Sequence, residues 1–447
     1  MPHKTSSAGS LIALIACVVA VVLAGARPAF AEVPLVQVGN WHFFTDGRIN
    51  TFFSLTEGNG VPADQPDNTG AGTADYANAN GDIHSARIRN GFLMSILGFT
   101  GETQVTPNLK VTTRVALWMN ITGTRSKNIP GLVDPRELYA KVEGPWGSVL
   151  AGSDLALFGR GGTLVDARIA HEYGLGYPCD VRFASGGSCG MVAFGEPFPG
   201  FEPGVVYATP DLRGLQISVG AYDPATIDNA QLDRAPLPRV EGEVKLDLKN
   251  VVRLFASGFW QVLEGTVTAM TAGGTPYSKN LHVDAWGAQA GAMLSLGPIL
   301  LGGAAYQGAG FSPITYIDES VIAADSAGVL RDSRGAFGLG AILIDALNLK
   351  IAGGVGVWHL DKNRDDGGAI SASGAPTNPQ LIKQNVGETI GLYQSTGPMR
   401  FALEYFRAQH TWYDRGVPSA TDPTMAIGVT TPRQTVNFIN AGMTVIW

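Results

Sequence analysis

Near the end of the chain Ile439, Ala441, Met443 and Val445 are apolar, while Asn440, Gly442 and Thr444 between them are polar or small. A period of two puts the apolar set on one face of an extended strand. The same alternation runs through residues 110–117, where Val111, Val115 and Leu117 share one face and Lys110, Thr112 and Arg114 the other. A strand that keeps its apolar face up to a terminal tryptophan, Trp447, suits a soluble core poorly.

Short turn signals flanked by alternating segments punctuate the chain at Pro107-Asn108, Gly144-Pro145, Leu212-Arg213-Gly214, Lys249-Asn250, Gly297-Pro298, Leu347-Asn348 and Gly397-Pro398. Between successive turns the chain must run out, cross a loop and return. Seven turns plus the two terminal strands therefore predict sixteen antiparallel strands, with the later turns spaced a near-constant 48–51 residues apart. An even number of strands, tight turns on one side and long loops on the other is the plan of an all-β transmembrane barrel of the outer membrane. Such a sheet must close, because an open edge in hydrocarbon leaves backbone groups unpaired. Trp447 is then expected in the aromatic girdle at the periplasmic rim, where the last strand meets the first.

Composition strengthens this reading. Charged residues make up only 15% of the chain and hydrophobic residues 45%, with 58 glycines in 447 residues, an odd balance for a soluble secreted protein. Residues 1–31 read as a secretory signal peptide: His3 and Lys4, an apolar run from Leu11 to Gly25, then Ala29-Phe30-Ala31 as a cleavage site. Leu14-Ile15-Ala16-Cys17 loosely matches a lipoprotein box, but the apolar run continues past Cys17. Residues 32–447 form the expected barrel domain, and no stretch within them approaches the ~20 apolar residues of a membrane helix. Removing 1–31 takes away Lys4 and Arg27 and no acid, leaving 29 basic and 38 acidic residues, a net charge of −9. Nothing here points to nucleic acid. Cys179 and Cys189, ten apart in a Gly-rich stretch, read as a disulfide in an oxidising compartment; a metal site would have only His171 nearby, so no metal and no cofactor are expected.

Three groups of residues resemble motifs of the trimeric Gram-negative porins: Gly98-Phe99-Thr100-Gly101-Glu102 with Leu109-Lys110 and Leu117-Trp118; Arg136-Glu137-Leu138-Tyr139 with Gly144-Pro145-Trp146-Gly147-Ser148-Val149 and Gly152; and Tyr207-Ala208-Thr209-Pro210 with Gly214-Leu215. With the C-terminal aromatic, they span the mature chain in the family's order. The resemblance implies a sixteen-stranded general diffusion channel, a homotrimer, and a third loop folded into the barrel as a constriction. The turn spacing leaves room for that loop. Pro145 to Arg213 spans 68 residues against 37 for the intervals on either side, so residues 154–203 are the expected constriction loop, stiffened by Cys179–Cys189.

Selectivity in such a pore arises from fixed charges facing each other across narrow water. Candidate acids on the loop are Asp166, Glu172, Asp180 and Glu196; candidate bases on the wall are Arg48, Lys110, Arg114 and Arg136. Two positions depart from the family. Ser95-Ile96-Leu97-Gly98-Phe99 and Gly152-Ser153 both lack an arginine that usually belongs to the basic wall, which, with the net charge of −9, leans toward a weak cation preference. Strict alternation from Leu97 and Phe99 also turns Arg87 and Arg89 toward lipid unless a bulge intervenes.

Signals for other chemistry fail in detail. Gly186-Gly187-Ser188-Cys189-Gly190 has the letters of a nucleophile elbow without a strand-to-helix turn; His171-Glu172 lacks the second His of a zinc helix; Asp361-Lys362-Asn363-Arg364-Asp365-Asp366 lacks the Gly and the closing Glu of a calcium loop. The expected function is a water-filled channel for passive diffusion of small hydrophilic solutes and ions in the bacterial outer membrane. Expected partners are lipid and lipopolysaccharide, like subunits and, through the C-terminal strand, the barrel assembly machinery. The alternatives are a substrate-selective channel, or a plugged structural or enzymatic barrel.

Overall fold

In a computed structural model, the described residues are 32–62, 82–119, 121, 133–178, 189–227, 232–270, 276–311, 323–325 and 327–447. The first strands are β1 (Val33–Val38), β2 (Trp41–Gly58), β3 (Ile83–Arg89), β4 (Ser95–Thr106), β5 (Leu109–Met119), β6 (Val133–Gly144) and β7 (Gly147–Leu155). A helix, α1 (Arg160–Ile169), follows in the long third loop. Then come β8 (Phe201–Ala208), β9 (Leu215–Tyr222), β10 (Arg239–Leu248), β11 (Val252–Met270), β12 (Pro276–Leu296), β13 (Ile299–Ala309) and β14 (Asp332–Ile344). The chain finishes with β15 (Leu349–Leu360), β16 (Ile382–Thr396), β17 (Met399–Trp412), a small hairpin of β18 (Arg415–Pro418) and β19 (Ala426–Thr430), and β20 (Arg433–Ile446).

The barrel closes where β2 pairs with β20, Arg48 opposite Ile446 and Gly58 opposite Val436. Counted as rows, it has the sixteen antiparallel strands that the turn spacing predicts, and all seven turns fall where expected. Two rows are each made of two pieces, and both changes occur at Arg48. On one side of β2, β20 pairs above this point and β1 below it; on the other side, β3 pairs above and β4 below. Trp447 continues the seam, exchanging both backbone hydrogen bonds with Gly47 at 3.1 Å.

The break between β3 and β4 resolves the register of Arg87 and Arg89. Residues 90–94 leave the ladder, and Asn50 holds the gap, its Nδ2 donating to Leu93 O at 2.6 Å and its Oδ1 accepting from Gly91 N at 2.9 Å. The extra residues shift the alternation, so Ile88 is exposed on the outer face and Arg89 is buried. Strict alternation from Leu97 would have placed the arginines in lipid, at a cost of ~2–4 kcal/mol each near midplane; the irregular segment removes that cost.

Outward positions carry Ile49, Phe53, Phe99, Val115, Val355, Ile390, Ile439 and Met443, while their neighbours Asn50, Ser54, Thr100, Asn440 and Thr444 are buried. Outward Trp146 and Tyr207 stack at 6.4 Å beside the tight turns, and outward Trp260 and Trp286 pair directly across β11 and β12 toward the opposite end. Paired bands of this kind suit the two interfaces of a bilayer.

Residues of the third loop pack against the buried face of distant strands. Gly161 and Gly162 of α1 lie against Phe255 of β11 and Gln289 of β12, so closely that a Cβ on Gly161 would stand 2.2 Å from the phenyl ring. Val165 and Ile169 approach Gly302 of β13. Beyond the helix, Gly174 O accepts from Phe92 N at 2.8 Å in the β3–β4 break. Tyr177 then meets Phe406 of β17 and Phe438 of β20 at 5.6 and 5.3 Å. On the return, Ala193 O accepts from Asn385 of β16. The result is an apolar core of loop residues Val165, Ile169, Leu175 and Phe194 interleaved with wall residues Phe52, Phe255, Phe337 and Phe406.

Candidate functional site

The loop is pinned by buried polar groups as well as by this core. Glu404 of β17 accepts from the backbone N–H groups of Leu175 and Gly176 at 2.7 and 3.2 Å and from Tyr393 Oη at 2.6 Å. Asp166, His171 and Glu196 are all fully buried. Asp166 Oδ1 lies 2.6 Å from His171 Nδ1, and its Oδ2 accepts from Met191 N at 3.0 Å. Glu196 Oε1 accepts from Thr163 Oγ1 at 2.6 Å, whereas its Oε2 has no hydrogen-bond partner among the described residues. Burial, and after it the Asp166 carboxylate, hold the Glu196 carboxyl well above its usual value. Burial alone would pull the His171 imidazole down, but Asp166 outweighs it and holds the ring above 6.5. His171 Nε2 reaches Thr389 Oγ1 at 3.3 Å. An Asp-His-Thr line sealed from solvent fastens the loop to β16; no substrate can reach it.

Of the loop acids named from the sequence, only Glu172 combines solvent exposure with nearby wall bases. Asp166 and Glu196 are turned into the loop's own core, and Asp180 lies outside the described residues. Glu172 stands within electrostatic reach of both Arg48 and Lys350, and is the leading acidic influence on each. Next to it, the Arg400 guanidinium sits 5.3 Å from the Tyr173 ring. Burial, reinforced by Glu172, pushes the Tyr173 hydroxyl up to about 12. Lys350 Nζ donates to Arg168 O at 3.3 Å, and the Arg168 side chain is exposed. Around Glu172 and Tyr173 there are thus three cations, Arg48, Lys350 and Arg400, none of which has a carboxylate at ion-pair distance among the described residues.

The rest of the basic wall is neutralised. Arg114 binds Asp46 at 2.7 Å and also Glu137. Arg136 binds Asp134 at 2.9 Å, and Lys110 binds Glu102 at 2.7 Å. Arg48 and Arg136 lie 5.9 and 4.9 Å from the Trp118 ring, and Trp118 Nε1 donates to Glu137 at 3.1 Å. Arg48, Arg114 and Arg136 therefore form one cluster around Trp118, with Lys110 apart near the turn of β4 and β5. Inner faces of β10 and β11 continue in pairs: Arg160 of α1 with Glu243, Arg239 with Glu241 at 2.9 Å, and Arg253 with Asp247 at 2.8 Å.

Sequence reasoning missed Lys350, Arg400 and Tyr173. The first two had a signal, because each occupies the second position of a strand just after a tight turn, on the same inner parity as Lys110. Cys189 is disulfide-bonded, and its expected partner Cys179 falls outside the described residues, as do 1–31 and Ser188. Among the described residues no group of His, Cys, Asp and Glu forms a metal-binding cluster.

No family model and no curated protein matches the chain. Solved structures do. The outer-membrane channel DcaP of Acinetobacter baumannii aligns over 93% of this chain and 100% of its own, with TM-score 0.56 and 12% identity. An anion-selective porin from Comamonas acidovorans aligns over 91% and 100%, with TM-score 0.54 and 12% identity. OmpT, an outer-membrane protein of Vibrio cholerae, aligns over 92% and 100%, with TM-score 0.51 and 14% identity. The chain has a closed sixteen-strand barrel fold similar to the folds of these outer-membrane proteins.

Proposed function

We propose that the protein is an outer-membrane porin, a non-enzymatic channel for passive diffusion of small hydrophilic solutes with a local preference for anions. The observation that carries this reading is the group of three cations without carboxylate partners around Glu172 and Tyr173, inside a barrel where Lys110, Arg114, Arg136, Arg160, Arg239 and Arg253 are each paired with an acid. Paired charges cancel at a distance, so an unmatched cluster beside the loop dominates the potential that a permeating ion meets. This reverses the weak cation preference suggested by net charge and the two absent arginines. Charges outside the passage count little there, because ~8 Å of physiological electrolyte screens them.

In this function residues 154–203 form the constriction, with Glu172 facing Arg48 across it. Asp166 and Glu196 act as anchors. Arg114, Arg136 and Lys110 stiffen the wall more than they attract ions. A trimer, a signal peptide over 1–31, a Cys179–Cys189 bridge, lipopolysaccharide contacts and recognition of β20 by the assembly machinery complete the proposal. The apolar core between loop and wall favours a second reading, a barrel whose lumen is plugged. Single-channel recording in a planar bilayer separates the two: discrete steps with a reversal potential of chloride sign in a KCl gradient support the anion-preferring pore. A folded, silent barrel overturns it.

A further inference from the structure

Between α1 and the strand ends of β9–β11 lies a cavity of about 350 Å³, within the size range of small-molecule sites. Its two sides differ in chemistry. One is apolar: Phe255, Met293 and Leu164 of the helix. Val165 and Ile169 of α1 are buried, yet Leu164 is 46% exposed and turned to this space. An apolar side chain left in water beside a cavity gains by covering from a ligand. The other side is charged and balanced, with Lys245 and Arg253 against Asp211 and Asp247. Arg253 uses Nε and Nη2 on a single oxygen, Asp247 Oδ2, at 3.1 and 2.8 Å, so Nη1 has no protein acceptor among the described residues. Lys245 Nζ is held only at 3.5 Å, by Glu243, and both members of the Arg253–Asp247 pair keep about a third of their side chains in solvent.

We propose that this cavity is a binding site for zwitterionic solutes with an apolar side chain, the chemistry of amino acids and short apolar peptides. The carboxylate bridges Arg253 Nη1 and Lys245, the ammonium approaches Asp247, and the side chain covers Leu164, Phe255 and Met293. Both charges are required, since a lone anion or cation would meet its like across the pair. The inference deepens the channel reading by naming a solute class for it.

The test is calorimetric titration of the detergent-solubilised protein with leucine, glycine, 4-methylpentanoate and glucose, in parallel with single-channel recording. Leucine is expected to bind more tightly than the other three. Arg253→Gln weakens leucine about tenfold, as loss of a charge-assisted hydrogen bond does, and Leu164→Ser, at an exposed helix position, brings leucine down to the level of glycine. Equal heats for all four solutes, or unchanged leucine binding in both variants, overturn the site. A silent bilayer with leucine binding intact instead overturns the channel reading and leaves the site standing.

Discussion

At the scale of single residues, charge position outweighs charge count. Glu172 is the leading acidic influence on both Arg48 and Lys350, so Glu172→Gln is expected to strengthen chloride preference. One charge at ~4 Å in water is worth about 1 kcal/mol, severalfold in permeability ratio, and the reversal potential in a KCl gradient reads it directly. The same substitution at Glu102, already paired with Lys110, is expected to do much less. The buried trio gives a prediction in pH. His171 and Glu196 both hold a proton more tightly in the folded loop than in an unfolded chain. Their stabilisation is therefore complete below the ordinary values of 4.5 and 6.5 and fades as pH rises through the raised ones. The groups facing them are Asp166, Thr163, Thr389, Glu404 and Lys350, and the net effect is loosening on the alkaline side. Channel noise and hydrogen exchange of 160–177 should increase there, and Glu196→Gln should flatten the dependence; loosening toward acid would contradict the assignment.

Among the elements, strands were legible and their long-range fastenings were not. Alternation and turn chemistry placed seven tight turns, because those signals are local, and missed only the two-residue turn Gly39-Asn40 between β1 and β2 among the barrel's described tight turns; Asn348 and Gly297 adopt the positive φ angles that their turns need. The β3–β4 break escaped because it is fixed by Asn50, 43 residues from Leu93 in sequence. Burial of Asp166 and Glu196 escaped because it depends on where the loop lands, on strands more than a hundred residues further on. Glu404 is the strongest of those fastenings. Glu404→Leu leaves two backbone N–H groups and a tyrosine hydroxyl without an acceptor, a cost of about 1–3 kcal/mol for each buried group. It should free 174–177 from β17 and raise single-channel conductance with the barrel intact. At the seam, a Cβ on Gly47 would stand 2.3 Å from the Trp447 ring and 2.7 Å from Ile96 O. Gly47→Val is accordingly expected to impair closure, seen as loss of the compact, SDS-resistant form on unheated gels.

For the whole molecule, many charges of the inner wall are matched in pairs, and the third loop packs against the buried face of distant strands. Selectivity thus belongs to a small region and should weaken as salt rises, since the Debye length falls to ~3 Å at 1 M. The packing of the loop on its wall has a thermal consequence. A loop held to its wall by phenylalanine and tyrosine rings and methionine side chains is secured by a force that is largely entropic near room temperature and fades on cooling. Its release carries a positive heat-capacity change, so its stability curve is a dome with a limit on each side, whereas the hydrogen-bonded barrel around it sits in lipid and has no such low-temperature limit of its own. Conductance corrected for electrolyte viscosity should pass through a minimum, rising toward the cold as well as toward the melting point; a monotonic trend would mean that the polar anchors alone hold the loop.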